Sequence, residues 1–391
     1  MSDAYIIAGA RTPIGGFLGS LSAMPATELG ARAIEASVER SGLSRDEFDE
    51  VVMGNVLSAG LGQAPARQAA LGAGLPSTIA AVTVNKVCGS GLKSVMMAAQ
   101  AIRCGDASAI VAGGMESMSN APHFARRLRS GQKLGDLSLV DGMIFDGLTC
   151  GMEQCHMGMH AEYTAKTWEV TREQQDAFAL DSQQKAAAAW EQGLFNDEIT
   201  QVTVKSRRSE TVVTNDECVR GETTADGLAG LRPAFDKAGS VTAGNASTLS
   251  DGAAAVVVVN KELADASSST LKARIVSYHT SGMDPKDLFV APVAAIQGAL
   301  EKANLTSDDI DVFEINEAFA AQMLACTKQL KLDPAKVNPQ GGGVSLGHPI
   351  GASGARCLVT LLHTLARTEK KRGVVSLCLG GGNAVAMVVE R

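Results

Sequence analysis

Hydrophobic and polar positions follow two different spacings along the first part of the chain. Short continuous apolar runs predict strands covered on both faces, and longer segments with apolar residues at helical spacing predict helices. This alternation of strands and helices is typical of an α/β fold. The predicted elements are strand Tyr5–Gly9, helix Thr27–Ser41, strand Glu50–Gly54, helix Ala64–Gly74, a loop around Cys88, helix Gly91–Cys104 and strand Ala109–Ala112.

The C-terminal part of the chain repeats this order. Cys88 and His348 then occupy equivalent places, each just before the third helix of its half. Two halves packed about a pseudo-twofold axis would bring both residues to one cleft. The predicted elements are strand Ala273–Tyr278, helix Val293–Ala303, strand Val312–Ile315, helix Ala318–Leu330, a loop around His348, helix Ala352–Arg367 and strands Val374–Leu379 and Ala384–Glu390, with Ala253–Val259 as the final strand of the first half.

A long insertion of different character interrupts the first half. Thr171 and Gln174 have the spacing of a capping box, and Gly193 is a candidate C′ residue at the end of the alanine-rich helix that follows. Long insertions within a complete α/β unit more often carry binding than packing. We therefore predict an N-terminal half at 1–114 and 249–269, an inserted loop domain at 115–248 and a C-terminal half at 270–391.

Composition narrows the classes of function. The 391 residues are 45% hydrophobic, enough for two or more domains, and no apolar run reaches the roughly 18 residues of a membrane span. Aromatic residues make up 4% of the chain and the net charge is −7, which argues against nucleic-acid binding. The N-terminus lacks the pattern of a signal peptide, so we expect a cytoplasmic protein whose eight cysteines are reduced.

Three glycine-rich segments contain the candidate chemistry. They are Val84–Gly91 with Cys88, Gly341–Gly354 with His348, and Ser376–Gly382 with Cys378. Two thiols and an imidazole suffice for covalent acyl transfer with a separate nucleophile and acid/base. Glycines let backbone N–H groups approach the reacting atoms, and the position of Cys88 at a helix start is expected to lower its pKa.

Simpler interpretations exist for each of these residues taken alone. A free cysteine is usually a small apolar core residue, a lone histidine is usually structural, and Asn316 could be a helix N-cap worth roughly 1 kcal/mol. We expect the helical cysteines Cys104, Cys326 and Cys357 to lie in the core. Cys150, Cys155 and His156 are too few and too irregular for a zinc site.

The three segments, together with Asn316-Glu317-Ala318-Phe319, resemble the signature motifs of the thiolase family over nearly the whole chain. The resemblance implies a duplicated five-layered α-β-α-β-α fold with an inserted loop domain. It implies that Cys88 carries the acyl group as a thioester, that His348 takes the Cys88 proton, and that Cys378 is a second acid/base. Asn316 would hold a water that forms one oxyanion hole with His348, and the N–H groups of Cys88 and Gly380 would form the other.

The resemblance also implies coenzyme A thioesters as substrates, without a metal or other cofactor. Leu288 stands where biosynthetic members commonly have Met, and Thr248 stands where Gly is common. The residues that correspond to substrate and coenzyme A positions are Leu148, His156, Met157, Arg220, Phe235, Ala243, Ser247, Leu288, Ala318 and Phe319.

The implied activity is the reversible condensation of two acetyl-CoA molecules to acetoacetyl-CoA and CoA. A degradative 3-ketoacyl-CoA thiolase, a carrier-protein-dependent condensing enzyme and a non-catalytic acyl-CoA binding protein are the alternatives. The segment Arg126–Asp136 resembles the loop that joins two dimers of biosynthetic thiolases, which implies a homotetramer. A second basic run, formed by Lys205, Arg207 and Arg208, fits a solvated face or an oligomer contact equally well.

Overall fold

The computed structural model describes residues 3–205 and 209–391; Arg207 and Arg208 of the second basic run lie outside these ranges. The strands in the described ranges are β1 (Tyr5–Arg11), β2 (Gly15–Gly16), β3 (Glu50–Gly54), β4 (Ala80–Val84), β5 (Ala109–Ser117), β6 (His123–Phe124), β7 (Val140–Asp141), β8 (Val202–Lys205), β9 (Glu210–Val213), β10 (Ser250–Val259), β11 (Ala273–Gly282), β12 (Val312–Ile315), β13 (Arg372–Leu379) and β14 (Asn383–Glu390). The α-helices are α1 (Ala26–Ser41), α2 (Pro65–Gly72), α3 (Ser90–Cys104), α4 (Met157–Thr167), α5 (Arg172–Glu191), α6 (Ala225–Ala229), α7 (Lys261–Ala266), α8 (Ala291–Ala303), α9 (Ala320–Leu330), α10 (Gly343–Leu346) and α11 (Ser353–Arg367).

The sheet order confirms the internal duplication. The N-terminal half has the order β1-β10-β5-β3-β4, and the C-terminal half has the order β11-β14-β13-β12. Each half pairs its first and last strands antiparallel and its two inner strands parallel. In the C-terminal half a single parallel bridge from Phe313 to Val337 takes the place that β4 has beside β3. Pairing of β1 with β11 joins the two halves edge to edge.

The structure corrects the predicted strands of the N-terminal half at two places. The sequence analysis missed β4, whose residues alternate between exposed and half-buried because it lies at the edge of the sheet. It also ended β5 at Ala112, whereas the strand continues through Gly113 and Gly114 to Ser117. A side chain at Gly113 would lie 2.1 Å from the Ala254 carbonyl oxygen of β10, so glycine here permits close strand pairing rather than ending the strand.

Helices and half-sheets form five layers. Helices α1 and α2 pack on the N-terminal half-sheet, and α8 and α9 pack on the C-terminal one. Helices α3 and α11 lie between the half-sheets in a shared apolar core. Every residue of α11 from Ser353 to Leu365 is buried, as a central position requires.

The two central helices cross where each has a glycine. A Cβ at Gly91 of α3 would lie 2.9 Å from the Ala355 nitrogen, and a Cβ at Gly354 of α11 would lie 2.5 Å from the Leu92 nitrogen. Backbone therefore contacts backbone at this crossing, near the N-terminus of each helix. Because Cys88 and His348 precede these helix starts, the crossing brings the two motif loops together.

The inserted region is attached to the sheet by a fully buried ion cluster. Arg11 of β1 donates to Glu198 at 2.6 Å and to both oxygens of Asp216 at 2.7 and 2.9 Å. Within the insertion, α5 begins with the predicted capping box: Thr171 accepts from the Gln174 N–H, and the Gln174 side chain accepts from the Thr171 N–H. Gly193 has a φ of 69°, as a C′ residue does.

The helices of the described residues include none that is long and apolar enough to span a membrane.

The helix crossing predicts that Gly354→Ala destabilises the protein. The added methyl meets backbone atoms that have no alternative rotamer, so we expect a loss of about 1–3 kcal/mol in the free energy of unfolding. Denaturant unfolding followed by circular dichroism measures this loss. Gly151→Ala is the matched control, because nothing lies within 4 Å of a Cβ at that position. Equal stability of the two variants would contradict the close crossing.

Candidate active site

The three glycine-rich loops meet at one cavity of about 630 Å³. Cys88, His348, Cys378 and Gly380 line it. The cavity is also lined by every residue that the sequence analysis assigned to substrate or coenzyme A: Leu148, His156, Met157, Arg220, Phe235, Ala243, Ser247, Leu288, Ala318 and Phe319. Asn316 is the exception among the candidate site residues, because it lies buried behind His348 rather than on the cavity wall.

Cys88 lies in a short loop that local hydrogen bonds hold in place. Ser90, the first residue of α3, accepts from the Lys86 N–H at 2.8 Å and donates to the Val87 carbonyl at 2.5 Å. Val87 has a φ of 46°, a left-handed conformation that is rare for a β-branched residue. Strain of this kind directly before a candidate nucleophile is a feature of active sites.

Burial dominates the acidity of Cys88. It raises the pKa of the thiol to about 12, although the backbone N–H groups of Gly380 and of Cys88 itself point at the sulfur and oppose the rise. The prediction of a lowered pKa was therefore wrong. The helix-start donors are present, but the loss of hydration outweighs them. The resting group is a neutral thiol.

The His348 ring is held by the Ser353 hydroxyl. Its Nδ1 lies 2.6 Å from that hydroxyl, which also lies 2.9 Å from the Pro349 carbonyl oxygen. When the hydroxyl donates to the carbonyl, Ser353 accepts from Nδ1–H. In this tautomer Nε2 has a free lone pair. Burial, and to a lesser extent the charge of Arg356, lowers the pKa of His348 to about 3, which keeps the imidazole neutral.

Cys378 lies near the end of β13 in an apolar setting. Burial raises its pKa well above the ordinary value, and neighbouring Cys88 and Cys326 add to this rise. Its side chain belongs to the same buried cluster as Leu288 and Phe289. The following turn needs glycine, since Gly382 has a φ of 82° and a side chain there would lie 2.4 Å from the Met283 carbonyl oxygen.

A row of rings forms one wall of the cavity. Phe289 packs on Phe319 at 5.1 Å between centroids, Phe319 packs on Phe235 at 6.2 Å, and Phe235 stacks on His156 at 5.0 Å. Leu288 is 1% exposed and packs in the same cluster. The wall is therefore rigid and apolar on the side where Cys378 lies.

Three residues near the site were missed. Ser353 lies within the glycine-rich segment Gly341–Gly354, and this position was the sequence signal that could have identified it. Glu116 is a buried carboxylate that accepts from the N–H groups of Val56 at 3.1 Å, Leu57 at 3.2 Å and Gly351 at 2.9 Å, which fixes the His348 loop to the loop after β3. The sequence signal for Glu116 was an acidic residue at the end of an apolar strand. Cys218 also lines the cavity, and no sequence pattern marked it.

The simpler interpretations were wrong at two positions. Asn316 is not a helix N-cap, because α9 begins at Ala320 and Phe319 is its N-cap. The Asn316 amide lies instead 3.4 Å from Nδ1 of His348. Cys104 is exposed on the last turn of α3, whereas Cys326 and Cys357 are buried as expected. A helical position alone did not show which side of the helix would be covered.

Family models give the decisive comparison. The N-terminal domain of thiolase matches residues 4–262, and the C-terminal domain of thiolase matches residues 269–391. The chain belongs to the thiolase family. It is 53% identical to acetyl-CoA acetyltransferases of Cupriavidus necator and of Escherichia coli, in each case over 100% of both chains. It is 50% identical to a probable acetyl-CoA acyltransferase of Staphylococcus aureus over the same extent.

A solved structure of the family has the same fold. The acetyl-CoA acetyltransferase of Bacillus anthracis matches with a TM-score of 0.97 and 43% identity, covering 100% of this chain and 99% of that one. The thiolase fold is thereby confirmed for the whole chain, and the protein is an acyltransferase of this family. Among the residues that the structure describes, no group of three or more His, Cys, Asp and Glu side chains is placed to hold a metal ion.

The raised pKa of Cys88 predicts a steep pH dependence of its alkylation. Below the thiol pKa the reactive thiolate increases tenfold per pH unit, so the rate with iodoacetamide should rise without a plateau from about pH 7 to about pH 10. Because His348 is neutral over this range, it adds no inflection. Mass spectrometry of the Cys88 peptide measures the rate. A plateau below about pH 9 would show a thiolate in the resting protein.

Proposed function

We propose that the protein is an acetyl-CoA acetyltransferase that condenses two acetyl-CoA molecules to acetoacetyl-CoA and CoA, reversibly, through an acetyl thioester on Cys88. One observation carries the proposal: two thiols and a neutral imidazole line the same cavity, beside backbone N–H groups that point at one of the sulfurs. The names of the full-length relatives also support acetyl-CoA as the substrate. A cytoplasmic location stays a prediction from the sequence.

The first half-reaction moves an acetyl group to Cys88. The Cys88 sulfur attacks the thioester carbonyl of acetyl-CoA while the free Nε2 of His348 accepts the thiol proton. The carbonyl oxygen becomes an oxyanion, which the N–H groups of Cys88 and Gly380 stabilise. Collapse expels the CoA thiolate, which takes its proton from the Cys378 thiol, so Cys378 becomes a thiolate and His348 keeps the proton on Nε2. The neutral resting pair fits this sequence, because charge develops only when substrate has displaced water.

The second half-reaction uses Cys378. Its thiolate removes a proton from the methyl group of a second acetyl-CoA, and the oxygen of the resulting enolate accepts from the protonated Nε2 of His348 and from a water held by Asn316. The enolate carbon attacks the Cys88 thioester, a C–C bond forms, and the Cys88 thiolate leaves and takes the proton from Nε2 of His348. In this scheme the high pKa of the buried Cys378 makes its thiolate a strong base once it forms.

The cavity supports coenzyme A binding along its length. We assign the apolar residues Leu148, Met157 and Phe235 to the pantetheine tunnel and Ser247 to a polar contact with it. We assign Arg220, a cation on the cavity wall of an otherwise acidic protein, to the adenine end. Thr248 also lines the cavity, and its hydroxyl donates to the Cys218 sulfur at 3.2 Å.

The mechanism predicts that Cys378→Ala separates the two half-reactions. The variant should still form acetyl-Cys88 from acetyl-CoA and lose condensation by several orders of magnitude, because methyl cannot move a proton. Mass spectrometry of the intact protein and of the Cys88 peptide measures the first step, and a coupled assay measures the second. Cys326→Ala, another buried thiol nearby, is the control and should keep condensation. A wild-type protein that never becomes acetylated would favour the non-catalytic binding protein.

We further propose that the protein is a homotetramer built from two dimers. The segment Arg126–Asp136 and the residues just after it present unusually exposed leucines: Leu128 is 56% exposed, Leu134 93%, Leu137 48% and Leu139 62%. A cluster of this size on a surface is typical of a protein contact. The edge strand β4, with half-exposed Val82, offers a second surface for pairing within each dimer.

The tetramer predicts a halved mass for the double variant Leu134→Asp, Leu139→Asp. Two charges in an apolar contact would be desolvated without partners, so the dimers should separate while each stays folded. Light scattering after size-exclusion chromatography measures the mass. Val212→Asp, on a comparably exposed residue of β9, should remain a tetramer. A wild-type mass equal to that of a dimer would contradict the proposal.

The rigid wall predicts a preference for short acyl groups. Leu288 and Phe289 are buried beside Cys378, so a chain longer than acetoacetyl meets filled space. Leu288→Ala should raise the ratio of six-carbon to four-carbon kcat/KM in thiolysis by roughly tenfold, at about 0.8 kcal/mol for each methylene buried. Ile144→Ala, at an exposed part of the cavity wall, should leave the ratio unchanged. A wild-type kcat/KM that rises steadily from four to ten carbons would favour the degradative 3-ketoacyl-CoA thiolase.

A further inference from the structure

Outside the catalytic loops, two cysteines and a histidine lie together in a hairpin of the inserted domain. The hairpin is closed by a bridge between Thr149 and His156, and the Cys150 N–H donates to the Cys155 carbonyl at 2.8 Å. Cys150 and Cys155 therefore face each other across the end of the hairpin. Opposed residues of an antiparallel pair have Cα atoms about 4.5–5.5 Å apart, which lies within the range of Cα separations in disulfides.

One of these thiols has a base beside it. The Cys155 sulfur lies 3.4 Å from Nε2 of His160, which is on the first turns of α4. Burial lowers the pKa of His160, and a smaller opposing effect comes from its hydrogen bond to the Lys286 backbone. Nε2 faces the sulfur, and in the tautomer with the proton on Nδ1 it can accept the Cys155 proton.

The two thiols differ in access. Cys155 is half-buried, whereas Cys150 is 2% exposed and its sulfur accepts from the Glu153 N–H at 3.4 Å. Burial raises the pKa of Cys155, and a charge on Cys150 raises it further, which shows that the two cysteines are close. An accessible thiol with a base, next to a shielded thiol, is the arrangement of an attacking and a resolving cysteine.

We propose that Cys155 and Cys150 form a reversible dithiol–disulfide site that reacts with the disulfides of small thiols. The Cys155 sulfur attacks the small disulfide while His160 takes its proton. The S–S bond breaks, one small thiolate leaves and is protonated, and a mixed disulfide remains on Cys155. The Cys150 thiol then attacks the Cys155 sulfur and releases the second small thiol. The two cysteines are oxidised, and the small disulfide is reduced to two thiols.

The hairpin is in contact with the catalytic cavity. Leu148 and His156, on either side of the two cysteines, line the cavity, and the Met152 methyl group at the tip would lie 3.1 Å from a Cβ on Gly381. Gly381 follows the residue whose N–H points at Cys88. To reach Cys155, the Cys150 sulfur must leave the Glu153 N–H, which moves the tip. Oxidation should therefore weaken substrate binding, a consequence that rests on the proposed function.

The test begins with the reduced full-length protein and oxidised glutathione. After acid quenching, alkylation of free thiols and tryptic digestion, the peptide 134–166 contains both cysteines. We expect it to appear unalkylated and lighter by two hydrogen atoms, and to revert with reduced glutathione. In Cys150→Ser the mixed disulfide should persist on Cys155, and in Cys155→Ser neither product should form.

The internal control is Cys104, which is exposed on α3. In Cys150→Ser, glutathione should join Cys155 at least about ten times faster than Cys104, because only Cys155 has a base in contact. Equal rates, or a wild-type peptide that stays dithiol while Cys104 is modified, would overturn the site. This readout does not depend on activity, so its failure is distinguishable from a failure of the proposed function.

Kinetics test the consequence for the cavity. After the same treatment the wild type should show a several-fold higher KM for acetoacetyl-CoA than Cys155→Ser, which forms neither product, so its response reports oxidation of the remaining thiols. Reduction should restore the wild type. An oxidised wild type with the KM of the treated Cys155→Ser variant would show that the hairpin does not act on the cavity.

Discussion

The contact between the N-termini of the two central helices is the constraint on which the rest of the structure depends. Gly91 and Gly354 allow backbone to meet backbone where α3 crosses α11. A Cβ on either residue would push the two helix starts apart. The Cys88 loop and the His348 loop enter these helices, so their separation in the cavity follows from the crossing. The duplicated fold thus forms its candidate active site where its two halves meet.

Burial governs the chemistry of this centre more than local donors do. Cys88 has two backbone N–H groups aimed at its sulfur, yet its pKa rises to about 12, and the pKa of His348 falls to about 3. Both shifts favour the uncharged forms and have the same origin in lost hydration. The proposed mechanism therefore starts from two uncharged groups rather than from a stored ion pair. In that mechanism the thiolate forms when the substrate carbonyl is present to accept the negative charge.

A buried polar network joins the inserted domain to this centre. Glu317, next to Asn316, accepts from Ser182 of α5 at 2.7 Å, from Asn338 at 2.9 Å and from the Val344 N–H at 3.2 Å. One carboxylate therefore connects α5, the loop after β12 and α10, which precedes His348. Glu116 holds the other side of the same loop, because it accepts from the Gly351 N–H. Buried carboxylates with all these partners hold loop geometry that glycine-rich segments could not hold alone.

The sequence by itself determined the duplication, the order of most strands and helices, and the three glycine-rich loops, because apolar periodicity and glycine spacing are local properties. It did not reveal β4, whose half-exposed residues lack an apolar run, or the continuation of β5 through Gly113, which depends on the approach of β10. Nor could it place Asn316 behind His348 or expose Cys104. The protonation states of Cys88 and His348, and the pairing of Cys155 with His160, were decided by the tertiary structure alone, since hydration and side-chain contact depend on every element that packs around a group.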